Sequence, residues 1–330
     1  NEWDRRHVPY EIANAEHLAM SDSVGMINLS HFPIMDIEGK DAERMLEYLS
    51  LAKVGGDTPE GRMIYTNFLD EDGGVHADLT ISRLGKDRYR IVTGGADGNR
   101  DWVTLRNYRD DNGLDADIKI RTHDIATLGL WGPQAKNVLG NFIDPTEITI
   151  ENFPFAAAKN LTLNLSEGKK IDVWASRISY VGESGWEIYL NNDSEEGLAL
   201  YDSLLEVGVV PVGIETYANS RRLEKSFRLQ GADLETEYNA CESAIERRLV
   251  KEADFHGKAA HLAHREEEPC AMLCTMTIDD LNVSGSIRYP VGNSPIIDPA
   301  SGEVPIDRKG RRSYATGMSY CPSIKKFVVM

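Results

Sequence analysis

Two stretches of the chain alternate apolar and polar residues with a period of two. In GVHADLTISRL, residues 74–84, Ala77, Leu79 and Ile81 fall on one face and His76, Asp78 and Thr80 on the other. That is the pattern of a half-buried strand. DRYRIVTGG comes after a Gly-Lys-Asp turn and predicts the second arm of a hairpin. In ISYVGESGWEIYL, residues 178–190, Trp186, Ile188 and Leu190 alternate against Glu187 and Tyr189. Gly182 and Gly185 interrupt what otherwise reads as a single hairpin. Helical spacing shows elsewhere. DAERMLEYLSLA, residues 41–52, carries Met45, Leu46, Leu49 and Leu51 with acids in its first turn, as an amphipathic helix does. Pro133, directly after LGLWG, predicts a helix start at the position where its missing N–H costs nothing. Asp193 and Glu196 read as a capping box for a helix with Leu198, Tyr201, Leu204 and Leu205, closed by Gly208.

These signals alternate irregularly and without an internal repeat, which predicts an α+β protein. At 330 residues the chain is too long for one compact core and should form two or three packed units. After about Ala253 the texture changes to PCAMLCTMTI and SIRYPVGNSPIIDPASGEVPI, dense in turn signals, so the C-terminal unit is expected to be β-rich. No apolar run is long enough to cross a bilayer. The first residues are charged and lack the apolar segment of a signal peptide. The chain starts without Met and stops on the apolar KKFVVM, so a piece of a longer polypeptide is expected.

Charge narrows the function classes. Lys and Arg number 36 against 53 acids, a net −17, which repels phosphate backbones and argues against a nucleic-acid partner. Cys241, Cys270, Cys274 and Cys321 have no framework spacing, and CAMLCTMTI reads as a buried strand with packed thiols. Nothing here calls for an oxidising compartment. The eight histidines lack ligand spacing; His261 and His264 in HLAHREEE read as a solvated helix face, and His31 as a core or turn residue. The sequence has no GxSxG, Walker loop or GxGxxG, and VTGGADG has the wrong spacing for dinucleotide binding. DRKGRR around Arg308 reads as a solvated turn.

Two carboxylates remain on strand faces opposite apolar sets: Asp78, reached through Gly73 and Gly74, and Glu187, reached through Gly182 and Gly185. A solvated strand face accounts for both. Yet the surroundings, His and Thr for one and Tyr for the other, are sparse and mixed, as pocket linings are. The pattern leaves both readings open.

Taken in order, GGVHADLTISRL, YRIVTGG, LGLWGPQAKNVL, SYVGESGWEIYL, NSRRLEKSFRLQGADLETEY and ADFHGKAAHL resemble the folate-binding aminomethyltransferase family, which includes the T-protein of the glycine cleavage system. The chain is most similar to the branch formed by the C-terminal folate module of dimethylglycine and sarcosine dehydrogenases, with a similar module in trimethylamine-oxide demethylase. The resemblance runs from VGMINLSHF to SYCPSIKKFVVM. It implies an α+β three-lobed cloverleaf: a discontinuous first lobe of residues 1–50 and 146–252, a second lobe of 51–145 and a β-rich third of 253–330. It further implies tetrahydrofolate in a central channel, with Asp78 as the acid near the N5/N10 edge. Tyr180 and Glu187 would hold the pteridine, and Phe32 and Ile91 would complete the cofactor-binding set. On this reading the glycines let backbone and cofactor approach closely.

A fixed carboxylate matches the guanidine-like donor edge of a reduced pterin bidentately. A nearby carboxylate can also take the proton that an attacking amine releases. The family resemblance thus implies conversion of formaldehyde or an iminium, released by N-demethylation of a methylated amine, into 5,10-methylenetetrahydrofolate. A covalently linked or associated demethylase or dehydrogenase module would generate that unit, with FAD or a metal belonging to it and not to these residues. The alternatives are direct methyl transfer to tetrahydrofolate and a non-catalytic folate-binding regulatory module. A homo-oligomer in the cytoplasm, or in the mitochondrial matrix of a eukaryote, is expected. Three departures stand out. Ala218 occupies the place of an Arg in the T-protein pattern, NACESAI replaces TPLEAGL, and Arg221 replaces the usual Leu before Arg222. The first favours the amine-dehydrogenase branch over lipoyl-protein chemistry.

Overall fold

A computed structural model describes residues 8–192, 194–278 and 292–330 of the chain. Strand alternation builds two large sheets. The first runs in the order Val210–Pro211, Gly25–Asn28, Ile125–Trp131, Gly185–Asn191, Lys170–Ser176, Ala158–Asn164. The second runs Met63–Leu69, Val75–Gly85, Arg88–Thr93, Ile34–Glu38, Asp117–Ile120 and is antiparallel throughout. Met276–Ile278, Lys326–Val329 and Met318–Cys321 form a third, small sheet.

Each large sheet buries one face. Trp186, Ile188 and Leu190 enter a core with Leu128, Leu130, Val173 and the helix residues Leu200 and Leu204. Ala77, Leu79 and Ile81 enter a second core with Met45, Leu46 and Leu49 of the Ala42–Leu49 helix. Each fully buried large apolar side chain contributes about 1.5–3 kcal/mol. That sum makes the two faces hard to slip, since a one-residue shift would expose every member. Among the described residues no helix is long and apolar enough to cross a membrane.

Several local expectations change. The 41–52 helix ends at Leu49, because Ser50 is extended (φ −90, ψ 138) and bridges Phe68 of the neighbouring strand. The helix after LGLWG begins at Ala135, with Pro133 still in the preceding turn. In the Ser194–Glu206 helix Leu200 and Leu204 face the core, while Leu198 and Leu205 are exposed. Asp193, the expected cap, lies outside the described residues. The hairpin read within 178–190 is instead made by Lys170–Ser176 and Gly185–Asn191, joined by an irregular loop at 177–184. Cys270 and Cys274 are not in a buried strand. They precede Met276–Ile278, and Cys274 is exposed.

Ile34–Glu38 and Ala42–Leu49 belong to the second sheet and its core. Ile125–Trp131 is a central strand of the first sheet. The first sheet takes strands from both before and after those of the second.

Candidate functional site

Asp78 stands on the Val75–Gly85 strand with its face turned away from the core that takes Ala77 and Leu79. Its cross-strand partner is Asn67, which donates from Nδ2 to Asp78 Oδ1 at 2.8 Å. Asp78 is half-buried, and this desolvation pushes its carboxyl up to about 6. The Tyr65 phenol and Asn67 amide oppose the shift, and the negative charges of Asp97 and Asp101 add to it. A carboxyl that titrates this close to neutrality suits proton transfer.

Glu187 comes from the first sheet. Gly185–Asn191 is paired on both sides, with Glu187 opposite Gly129 on one neighbour and Ser176 on the other. Its Oε2 accepts a hydrogen bond from the Tyr189 hydroxyl. Among the described residues nothing donates to its Oε1. Burial pushes the Glu187 carboxyl up, and the Tyr189 hydrogen bond acts against that.

The 177–184 loop carries Tyr180, which the Asp78 charge reaches. Its hydroxyl donates to the Arg228 carbonyl at 2.7 Å, which fixes the ring and leaves its faces for packing. Phe227 stacks on it at 5.9 Å and Tyr217 lies tilted at 5.2 Å; Phe32 meets Tyr217 edge-on at 6.0 Å. Burial raises the Tyr180 phenol, and the Asp78 charge raises it further against the nearby Arg222. Burial and then the Glu187 charge do the same to Tyr217. The two carboxylates, from two different sheets, therefore act on adjoining tyrosines of one aromatic cluster. Phe32 joins this cluster. Ile91 does not: it pairs with Ile81, is 0% exposed and sits in the core on the far face of the sheet from Asp78.

The glycines have other duties than admitting a ligand. Gly182 has φ +82, and a Cβ there would meet Lys225 Cγ at 2.4 Å. A Cβ on Gly185 would stand 1.9 Å from the Leu130 carbonyl oxygen of the adjoining strand. Close approach is required, but between chain segments. A cavity of about 400 Å³ opens beside the loop, lined by Phe155, Ser179, Glu183, Ser184 and Phe227 among others. It contains neither Asp78 nor Glu187.

Two adjacent arginines anchor the site from behind. Thr216–Arg221 winds as a π-helical turn, and Arg221 and Arg222 are 0% and 1% exposed. Arg221 donates to Glu183 Oε1 at 2.6 Å and to the Val181 carbonyl at 3.3 Å, both on the Tyr180 loop. It also pairs with Glu224, which accepts from His17 Nε2 at 2.9 Å and from the Ser323 hydroxyl. This accounts for Arg221 where the family usually has Leu: it ties the loop to the first helix and the C-terminal strands. In NACESAI, the buried Glu242 pairs with Arg311 at 2.5 Å, so that Arg311 of the DRKGRR segment is a half-buried ion-pair partner and not a solvated charge. His261 is likewise 0% exposed beside Phe255 and not on a solvated face.

The Glu224 network predicts an acid-sensitive stability. Against burial, which alone would raise it, His17, Ser323 and Arg221 hold the Glu224 carboxyl down at about 2. A depressed carboxyl stabilises the fold above its unfolded value of 4.5, and this contribution is lost as pH falls through about 2. Glu224→Gln is expected to be less stable than the unchanged protein at neutral pH, with the gap narrowing between pH 4.5 and about 2. Urea unfolding against pH measures it, and a gap independent of pH would refute it.

Sequence reading missed Tyr65, Asn67, Tyr189 and Tyr217. Asn67 was within reach, because the Asp70–Gly74 turn sets the register that puts it opposite Asp78. Tyr217 carried no local signal.

The GCVT N-terminal domain family matches residues 2–252. Mitochondrial dimethylglycine dehydrogenase of Homo sapiens is 32% identical over 309 residues, covering 88% of this chain and 34% of the relative. The Mus musculus protein of the same name is 32% identical over 312 residues, with the same coverage of 88% and 34%. The chain thus spans about a third of the length of these relatives. Among solved structures, glycine cleavage system aminomethyltransferase T from Bartonella henselae aligns with a TM-score of 0.75 at 23% identity, over 96% of this chain and 80% of that one. The α+β architecture expected from the sequence is this fold.

Proposed function

The chain belongs to the GCVT N-terminal domain family, an aminomethyltransferase-type enzyme family, and from that premise we propose that it is the tetrahydrofolate-binding one-carbon module of a demethylase. It takes formaldehyde or an iminium, released by N-demethylation of a methylated amine, to 5,10-methylenetetrahydrofolate. The observation that carries this reading is the pair of carboxylates flanking one aromatic cluster: Glu187 with a free Oε1, and Asp78 titrating near 6.

The residues fit a reduced pterin. Glu187 would accept from the pterin amino group and the adjoining ring N–H, one on each carboxylate oxygen, with Oε2 shared with the Tyr189 hydroxyl. Tyr180, Tyr217 and Phe32 offer aromatic surface to a flat ring. When bound, the reduced folate supplies the two amines that trap the one-carbon unit. Asp78 would accept each proton that those amines release and return it to the leaving group, the oxygen of formaldehyde departing as water or the nitrogen of an iminium as the ammonium. Holding folate and the one-carbon unit side by side would add an effective-concentration gain. The near-neutral Asp78 favours this over a non-catalytic binding module. Direct methyl transfer would yield 5-methyltetrahydrofolate, and the identity of the folate product formed from a methylated amine by the parent enzyme separates the two.

The relatives' greater length and name support a linked or associated dehydrogenase as the source of the one-carbon unit, with any FAD or metal held there. For Glu187, exchange to Gln puts a donor against the donor edge of the pterin. Tetrahydrofolate binding by Glu187→Gln is expected to weaken by about 2–4 kcal/mol in titration calorimetry, with little change in stability. Unchanged affinity would leave Glu187 as no more than a partner for Tyr189.

A further inference from the structure

We propose that Tyr189 is a positioning residue: its phenol holds Glu187 by Oε2 and so fixes the direction in which the carboxylate meets the pterin. The proposal rests on the reading of Glu187 given above. Residues two apart on a strand share a face, so Glu187 and Tyr189 stand side by side. Tyr189 is 1% exposed, and its hydroxyl donates to Glu187 Oε2. Its ring has little freedom. It packs with Ile34 and Ile125 and against Val92 and Trp174, the Trp174 ring at 4.9 Å. Trp174 is covered in turn by the Arg90 guanidinium at 5.0 Å, and Arg90 is fixed by two hydrogen bonds to Asp36, of 2.7 and 2.9 Å.

Ile34, Val92, Arg90 and Asp36 all belong to the second sheet. The phenol is therefore clamped at the junction of the two sheets, and through it the sheet that carries Asp78 sets the orientation of Glu187.

The hydrogen bond also has an electrostatic effect. A donor on Oε2 favours the charged carboxylate, in a place where burial favours the neutral acid. A neutral Glu187 could not accept both hydrogen bonds from a pterin edge. The groups facing Glu187 are Tyr189 on its own strand, Ser176 and Gly129 across the two neighbours, and Tyr217 from the π-helical turn. Arg90 and Thr127 face Tyr189. None of these is a second carboxylate that would compete for the phenol.

Tetrahydrofolate binding by the full chain, measured calorimetrically from mildly acidic to mildly alkaline pH, tests this. The proteins are the unchanged chain, Tyr189→Phe, Glu187→Gln and the double variant. Tyr189→Phe is expected to bind about tenfold more weakly at neutral pH, as loss of one hydrogen bond to a charged group implies, and to recover as pH rises. In the Glu187→Gln background it should cost nothing more. A ring-fluorinated tyrosine at 189, which keeps the packing and strengthens the donor, should extend tight binding to lower pH. Unchanged affinity in Tyr189→Phe would overturn the proposal. So would an equal loss at every pH and in both backgrounds, which would make Tyr189 a packing residue. If Glu187→Gln alone binds normally, the reading of Glu187 fails, and this proposal with it.

Discussion

Asp78→Asn is expected to slow enzyme-dependent methylene formation by roughly 10²–10⁴-fold while tetrahydrofolate affinity falls only modestly. Asn keeps the size of the side chain and one acceptor oxygen for Asn67, but it cannot take a proton. Formaldehyde condenses with tetrahydrofolate unaided, so the quantity to measure is the excess rate over that background at low formaldehyde. Folding damage can be separated from lost chemistry, because the two change in opposite directions. The Asp78 carboxyl is raised from 3.8 to about 6, so its ionisation costs the native state stability as pH climbs through that interval. Asn has no such cost. The variant should therefore be at least as stable as the unchanged protein at neutral pH, with its advantage shrinking towards pH 3.8. A variant that binds folate and retains the full excess rate would leave Asp78 as a cavity-lining residue and end the proposed mechanism.

Asp233→Ala is expected to destabilise the fold by about 3–5 kcal/mol. Arg222 and Asp233 form a buried ion pair; Leu229 N–H donates to Asp233 Oδ2 at 2.9 Å, and the Thr316 hydroxyl to Oδ1. Arg222 also spans the Ala218 carbonyl at 2.7 Å and the Phe227 carbonyl at 3.2 Å. Removing the acid strands a guanidinium that is 1% exposed, and the cost is that of an unpaired buried charge. Replacing both partners by Leu should cost less than the single change, since no charge is then stranded. In urea, the midpoint should fall with little change of slope. A loss below about 1 kcal/mol, within the range of ordinary surface changes, would show that water reaches Arg222. The pair also bears on the site, because the segment it closes carries Phe227 and Arg228, which hold Tyr180.

The strand pattern set Asp78 and Glu187 apart as carboxylates opposite apolar faces but left a solvated face equally open, and only the family resemblance attached roles to them. Ile91 came only from the resemblance, and the structure turns it into the core through a shift of one residue. A two-residue turn at Lys86 and Asp87 would pair Ser82 with Ile91 and put Ile91 on the face of Asp78. The irregularity between Arg83 and Gly85 shifts the pairing, so that Ile81 opposes Ile91 and the side chain turns into the core. His261 shows the same limit in a helix. In HLAHREEE the two histidines read as a solvated face, yet the helix is docked with His261 inward against Phe255.

What the sequence by itself determined is the set of local periods and the class of fold they compose. Backbone geometry alone sets a period of two or of 3.6, so these features are written into neighbouring residues. Only the tertiary structure decided which faces meet. Tyr189 became the partner of a folate-reading candidate by being locked between two sheets, and Arg221 acquired its purpose from His17, Glu183 and Glu224, far off along the chain. Inter-sheet register, ion pairing across long separations and the desolvation that moves Asp78 towards neutrality arise only once distant segments exclude water together.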